Sequence, residues 1–351
     1  MPQPSFRDTV YQILQEQGFV LSAKDTSIID ENLGLKRRYF YYVGTRIEEG
    51  TSLQRFIKIP ANISPKLLIP FQRQVTFTRV LEQYKIIPTR KIILTQTNPL
   101  ISYPYAIIET LPQSGAKIGF IQHDQGSELL KKSHAEDSMN QLHRIHTFDA
   151  SKLPLSTTDL ANIPRYKSTY PNFRRQILWY FYKKVTSESM PLYQYLEKRH
   201  GLLNIPTTIK KIFVLHSETL HSSTYRRPTL MHGDMAPNNL FVFDDGTVEL
   251  LDLEWMGIIN HSLLATIYDY GNLRARTWKN PAFRRHLDTI LFEMYPIHEA
   301  QAIFDLAILF AHGNISGFLH NYPEAKAAVN NEQRRLEETE KDLVTLLRKY
   351  T

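Results

Sequence analysis

The stretch from Thr229 to Trp255, TLMHGDMAPNNLFVFDDGTVELLDLEW, decides the fold of this chain of 351 residues. After a polar loop, HGDMAPNN, the apolar run from Leu240 to Phe243 predicts a strand. Asp244-Asp245-Gly246 is a strong signal for a hairpin turn. The segment from Thr247 to Leu251 predicts the return strand, which delivers Asp252 at its end.

This hairpin is expected to bring Asp234, Asn239 and Asp252 towards one place. Two carboxylates and a carboxamide on loop ends form a site of hard oxygen ligands, which is the kind of site that Mg²⁺ prefers. A carboxylate that does not bind the metal could orient a substrate hydroxyl and accept its proton. The stretch therefore predicts a metal-assisted transfer site.

The same residues carry a family resemblance. HGDMAPNN, followed by Asp252 in LLDLEW, resembles the Brenner motif of the aminoglycoside phosphotransferase and choline kinase superfamily. In that motif an Asn lies 5 positions after the Asp and a second Asp lies 18 positions after it, as Asn239 and Asp252 do after Asp234. The resemblance implies an α+β, two-lobed protein-kinase-like fold with a small antiparallel-sheet N-terminal lobe and a larger, mainly helical C-terminal lobe.

The resemblance also implies roles for single residues. Asp234 would be the catalytic base, and Asn239 and Asp252 would hold Mg²⁺ on the nucleotide phosphates. His232 would brace the loop. The run Asp269-Tyr270-Gly271-Asn272 resembles the downstream aspartate motif, whose aspartate, Asp269, would anchor the catalytic loop.

The first part of the chain predicts strands interrupted by one helix. Segments rich in aromatic and β-branched residues predict strands at 38–44, 53–59, 91–94 and 105–109. A polar break around Gly50 indicates that the first two form a hairpin. The three- to four-residue spacing of apolar residues predicts a helix from Pro70 to Tyr84, with Pro70 in its first turn.

Leu111 to Gly115 is the predicted linker, which gives a nucleotide-binding lobe at 1–112 and a catalytic and substrate-binding lobe at 113–351. The resemblance implies that Lys58, in FIKI, is the nucleotide-binding lysine, because it lies where the third strand of the small lobe is expected. AIIETLP resembles the hinge between the lobes. Its backbone, represented by Glu109 and Leu111, would meet the adenine.

Two features depart from the family pattern. The loop expected to cover the phosphates, Asn32 to Lys36, has one glycine where a glycine-rich segment is expected. The helix after Lys58 is expected to supply a glutamate partner, but the residue at that position is Gln74. Either Glu82 takes the place of that glutamate, or nucleotide binding is weaker or differently arranged.

The predicted function is transfer of the γ-phosphate of ATP, or of GTP, to a hydroxyl of a small molecule, with Mg²⁺ as cofactor. Glu254, in DLEW, is a possible substrate contact, and with the aromatic run from Trp179 to Tyr182 it resembles the amine-binding groups of choline kinases. The His-Gly-Asp order of the loop instead resembles aminoglycoside kinases, so the acceptor stays open. The alternative is a pseudokinase-like binding module with weak or no catalysis.

Composition narrows the partners. The formal net charge is +7 with a pI near 9.3, but Lys and Arg are scattered in short groups, which favours ordinary solvated surface charge over a nucleic-acid-binding surface. The longest apolar runs are too short to span a bilayer, the first residues do not resemble a secretion signal, and there is no cysteine. We therefore expect a cytoplasmic protein without a membrane partner.

Overall fold

The structure is a computed structural model that describes residues 6–21, 39–112, 115–117, 129–154, 190–321 and 326–351. These residues form two compact units. The first contains the described residues up to 112 together with the short turn Leu253–Trp255. The second contains the rest of the described residues, including Asp252 on one side of that turn and Met256 on the other.

The first unit is built on an antiparallel sheet of five strands in the order β1-β2-β3-β5-β4. Its strands are β1 (Val20–Leu21), β2 (Tyr39–Glu48), β3 (Thr51–Pro60), β4 (Ile92–Gln96) and β5 (Tyr105–Glu109). Two helices accompany the sheet, α1 (Phe6–Glu16) and α2 (Pro65–Gln83). All four predicted strands are confirmed; β5 has the predicted bounds, and the other three differ at their ends.

The hairpin between β2 and β3 turns at Glu49 and Gly50. Both residues have positive φ, 50° and 79°, as the tight turns of hairpins require. Glu48 pairs with Thr51 directly before the turn, and the pairing continues to Tyr39 and Pro60. The polar break predicted around Gly50 is confirmed.

Alternation along β3 decides where Lys58 points. Ile57 and Ile59 are fully buried in one cluster of the sheet with Leu14 of α1. Because successive side chains of a strand point to opposite faces, Lys58 lies on the other face, the one on which Phe71 of α2 packs.

The prediction for the start of α2 was wrong. The helix begins at Pro65, five residues before Pro70, and Pro70 lies inside it. Judged by local sequence alone, either proline could occupy the first turn of the helix. In the structure Pro65 occupies it, and Ser64 lies directly before the helix. The local signal alone therefore did not discriminate between them.

In the described part of the second unit there are two small antiparallel sheets and eight α-helices. Strand β7 (Thr229–Met231) pairs with β10 (Gly257–Ile259), and the other sheet has the order β6-β8-β9, with β6 (Gly115–Lys117), β8 (Leu240–Phe243) and β9 (Val248–Leu250). The β8–β9 hairpin confirms the predicted strand–turn–strand pattern.

The described helices of this unit are α3 (Lys132–Thr147), α4 (Met190–His200), α5 (Ile205–Leu215), α6 (Ser217–His221), α7 (Ser262–Arg276), α8 (Pro281–Met294), α9 (Ile297–Asn321) and α10 (Lys326–Tyr350). Helix α7 is buried along most of its length and packs against α9 and α3. The core of this unit therefore surrounds the helix that carries Asp269. No helix in the described ranges is long and apolar enough to cross a bilayer.

Candidate active site

The loop between β7 and β8 carries the HGD motif, and its shape depends on a glycine. Gly233 has φ +82°, in the left-handed region that a residue with a side chain rarely adopts. Pro237 to Asn239 then form one helical turn that leads directly into β8. The sequence His-Gly-Asp thus allows a sharp bend directly before Asp234.

Asp269 holds this bend in place. Its carboxylate is fully buried and accepts hydrogen bonds from the backbone N–H of His232 at 2.8 Å and of Gly233 at 2.9 Å. The ring of His146 in α3 lies 2.9 Å from the same carboxylate. Asp269 thus connects the loop to α3, and its role as the anchor of a catalytic loop stays a prediction.

The His232 ring joins the loop to the return strand. Its Nε2 lies 3.1 Å from the carbonyl oxygen of Leu251, and its Nδ1 accepts from the backbone N–H of Asp234 at 3.4 Å. The two ring nitrogens thus contact one carbonyl oxygen and one backbone N–H. The ring is fully buried, and its role as a brace of the loop stays a prediction.

Asp234 is partly exposed, and its conformation is fixed from within the loop. The Asn239 side-chain amide donates to the backbone carbonyl of Asp234 at 2.8 Å and lies 3.2 Å from its Oδ2. The other oxygen, Oδ1, lies 3.2 Å from Nη2 of Arg276, at the end of α7. Asp234 therefore presents a carboxylate that is oriented on both sides and still reachable from solvent.

The backbone places Asp252 next to Asn239 at the open end of the β8–β9 hairpin. The backbone N–H of Leu251 donates to the carbonyl oxygen of Asn239 at 2.8 Å, so the residue after Leu251 is adjacent to Asn239. Asp252 itself has φ +54°, a strained conformation for a residue with a side chain. Such strain is concentrated at functional sites, where the surrounding structure holds it.

The donors at this hairpin end fit Mg²⁺ by their chemistry. Asn239 contributes an amide oxygen and Asp252 a carboxylate, which are hard oxygen ligands, and Mg²⁺ in nucleotide sites takes its other ligands from phosphates and water. No group of three or more His, Asp or Glu side chains arranged to hold a metal occurs in the described part of the chain.

Arg276 is the residue of this site that the sequence reasoning missed. It lies seven positions after Asp269 on the same helix, and that spacing places both residues on one face, two turns apart. The signal available in the sequence was this seven-residue spacing, which places Arg276 on the same helix face as Asp269. Its guanidinium brings a positive charge to the predicted base.

In the first unit, Lys58 is 4% exposed and has a partner that sequence reasoning did not predict. Its Nζ lies 2.5 Å from Oε1 of Gln74 and 2.5 Å from Oε1 of Glu254. Glu82, the alternative partner, is exposed on the far part of α2. Glu254, predicted as a possible substrate contact, is 1% exposed and is placed against Lys58.

The two residues predicted to meet the adenine lie at the end of β5. The backbone N–H of Glu109 donates to the carbonyl of Lys91, and its side chain accepts from the N–H of Lys91. Leu111 follows in irregular structure and is half-buried. The predicted phosphate-covering loop at Asn32 to Lys36 and the aromatic run at Trp179 to Tyr182 lie outside the described residues.

Solved structures of known proteins share the fold of this chain. No family model matches the chain, and no curated protein matches its sequence. A wild-type aminoglycoside 2'-phosphotransferase-IIIa with GDP is similar in structure, with a TM-score of 0.53 and 14% identity over 97% of this chain and 99% of the other.

Two further solved structures are similar. APH(4)-Ia, a thermostable mutant with ADP and hygromycin B, has a TM-score of 0.50 and 12% identity over 94% of this chain and 98% of the other. An ethanolamine kinase of Plasmodium vivax has a TM-score of 0.50 and 11% identity over 92% and 82%. The chain has the protein-kinase-like fold of these phosphotransferases. The predicted fold class, α+β with two lobes, is confirmed.

Proposed function

We propose that this protein with a phosphotransferase fold is an ATP- or GTP-dependent kinase of a small hydroxyl compound, such as an amino sugar or an amino alcohol. One observation carries the proposal: a buried Asp269 fixes the backbone of the HGD loop, which presents Asp234 beside Asn239. Structural similarity at 11–14% identity is evidence for the fold and not for the activity. The arrangement of Asp269, Asp234 and Asn239 is what supports the proposed activity.

In the proposed reaction, Asp234 accepts the proton of the acceptor hydroxyl. The acceptor oxygen then bonds to the γ-phosphorus while the bond from that phosphorus to the bridging oxygen breaks, and the nucleoside diphosphate leaves. Lys58 would bind the nucleotide phosphates, and backbone groups near Glu109 and Leu111 would bind the base. Asn239 and Asp252 would hold Mg²⁺, which would neutralise phosphate charge.

The test is phosphate transfer by the full chain, with ATP or GTP and Mg²⁺, across a panel of amino sugars, amino alcohols and nucleosides. Asp234→Asn should keep nucleotide binding and lose transfer by about a hundredfold or more, because a general base supplies that factor. Asp244→Asn, which changes an exposed carboxylate of the β8–β9 turn, is the matched control. Near-normal transfer by Asp234→Asn would refute the assignment of the base.

The second candidate is the pseudokinase-like module, which Gln74 favours because α2 carries a neutral glutamine where a kinase would have its glutamate. Binding of nucleotide without transfer to any acceptor in the panel would support that candidate. A cytoplasmic location stays a prediction under either function.

A further inference from the structure

Lys58 occupies a position at which its charge has to be balanced. It lies on β3, between β2 and β5, and its side chain is 5% exposed. A buried ammonium group is costly unless it is paired and hydrogen-bonded. The centroid of the Tyr39 ring lies 4.1 Å from Nζ of Lys58. This aromatic face attracts the ammonium group more weakly than a carboxylate would.

Helix α2 supplies a hydrogen bond to Lys58 without a charge. Oε1 of Gln74 lies 2.5 Å from Nζ, so the helix does approach the lysine at the position where a kinase would have its glutamate. A glutamine can orient an ammonium group but cannot neutralise it. The helix therefore retains the geometry of the kinase ion pair and lacks its negative charge.

The negative charge comes from Glu254 instead. Its carboxylate lies 2.5 Å from Nζ, and its side chain is 2% exposed. The turn that carries it, Leu253–Trp255, packs against α2 and belongs to the first unit. Arg73, next to Gln74, donates from Nη1 to the backbone carbonyl of Glu254 at 2.5 Å. Helix α2 thus holds Glu254 through its backbone and leaves the carboxylate directed at Lys58.

We propose that Glu254 is the positioning residue of Lys58, and that the charge of the kinase ion pair has moved from α2 to this turn, with Gln74 kept as a neutral hydrogen-bond partner. The inference rests on the proposed function, in which Lys58 binds nucleotide phosphates. It accounts for a helix without the expected glutamate in a chain that keeps Asp234, Asn239 and Asp252.

A charge exchange tests this assignment. Glu254→Gln should lower kcat/KM for the nucleotide by about tenfold to a hundredfold, the usual effect of losing a supporting partner. This substitution preserves the backbone carbonyl that Arg73 contacts. In the same background, Gln74→Glu places a carboxylate on the atom already 2.5 Å from Nζ, so the double exchange should restore most of the loss.

The controls separate positioning from general damage. Glu82→Gln removes an exposed glutamate of the same helix and should leave kcat/KM unchanged. Lys58→Ala and the double variant Lys58→Ala/Glu254→Gln should be equally impaired, because Glu254 has no effect once its lysine is absent. A Glu254 that merely supported the fold would add its own loss to that of Lys58→Ala.

A second readout does not require nucleotide. Modification of Lys58 by an amine-reactive reagent, followed by mass spectrometry, should be several-fold faster in Glu254→Gln and return to the wild-type rate in the exchange variant. If the wild-type chain neither binds nor turns over nucleotide, the proposed function fails, and this labelling still tests the ion pair.

Three results would overturn the inference. Unchanged kcat/KM and labelling in Glu254→Gln would show that the carboxylate does not position Lys58. Tighter nucleotide binding by Glu254→Gln would show that Glu254 competes with the phosphates. The third result is an exchange variant, Glu254→Gln with Gln74→Glu, that folds with the unfolding midpoint of the wild type and still restores neither kcat/KM nor the labelling rate. That result would show that the missing negative charge is not the cause of the loss.

Discussion

Arg276 and Asp234 form an ion pair whose atoms lie 3.2 Å apart, so the guanidinium neutralises the carboxylate to which an acceptor would give its proton. Amino sugars and amino alcohols carry a positive charge, and a neutralised carboxylate attracts such a cation less than a bare one does. A charge at this distance in a solvated site is worth about 1 kcal/mol. Arg276 is therefore expected to reduce the preference of the site for a cationic acceptor.

Arg276→Ala should raise the preference for a cationic acceptor over its neutral analogue by roughly fivefold, which corresponds to about 1 kcal/mol. The measurement is the ratio of kcat/KM for a matched pair, such as an amino sugar and the sugar with a hydroxyl in place of the amine. Arg276→Lys keeps the charge and should keep the wild-type ratio. An unchanged ratio in Arg276→Ala would mean that the guanidinium does not affect the acceptor.

At the scale of elements, α7 connects the residues that fix the loop, because it carries both Asp269 and Arg276. Its N-terminus is capped by His261, whose Nδ1 accepts from the backbone N–H of Leu264 at 3.3 Å and whose Nε2 donates to the carbonyl of Leu220 at 2.9 Å. Because a ring nitrogen accepts a hydrogen bond only when it carries no proton, this cap requires a neutral imidazole, and the ring is almost fully buried.

His261→Ala should lower the free energy of unfolding by about 1–2 kcal/mol, because the helix loses its cap. His261→Asn restores a cap acceptor but is too short to reach Leu220, so it should recover only part of the loss. Urea unfolding of the three proteins measures both effects. Equal stability of the alanine and asparagine variants would show that the cap at His261 does not contribute.

Some of the secondary-structure elements were predictable from the sequence, and others were not. The β8–β9 hairpin was predictable because Asp244-Asp245-Gly246 is a local signal flanked by apolar residues on both sides. The start of α2 was not, because Pro65 and Pro70 satisfy the same local rule. The Lys58–Glu254 pair joins residues 196 positions apart, and no local pattern encodes such a contact. Local patterns thus predicted the turn and the loop residues Asp234, Asn239 and Asp252, whose roles stay predictions, whereas the contacts of Lys58 with Glu254 and of Asp234 with Arg276 required the folded chain.

At the scale of the whole molecule, buried histidines link stability to pH. Burial lowers the pKa of His312 to about 4, and it does the same for His261. Burial also lowers the pKa of His143. In the unfolded chain these rings titrate near pH 6.5. Between pH 6.5 and pH 4 the unfolded chain therefore binds more protons than the folded one, and the folded state loses stability as the pH falls.

The free energy of unfolding should hence fall as the pH is lowered from 6.5 to 4, by on the order of 3 kcal/mol for each of His312 and His261. His312→Gln, which keeps a donor for the carbonyl of Thr339, should reduce this slope. Asp342, whose pKa is lowered by Arg274 and Arg284 against the effect of burial, acts only below about pH 4. Urea unfolding at pH 7.5, 6 and 5 makes the comparison. A free energy that is the same at all three values would show that these rings are protonated in the folded protein as readily as in the unfolded one.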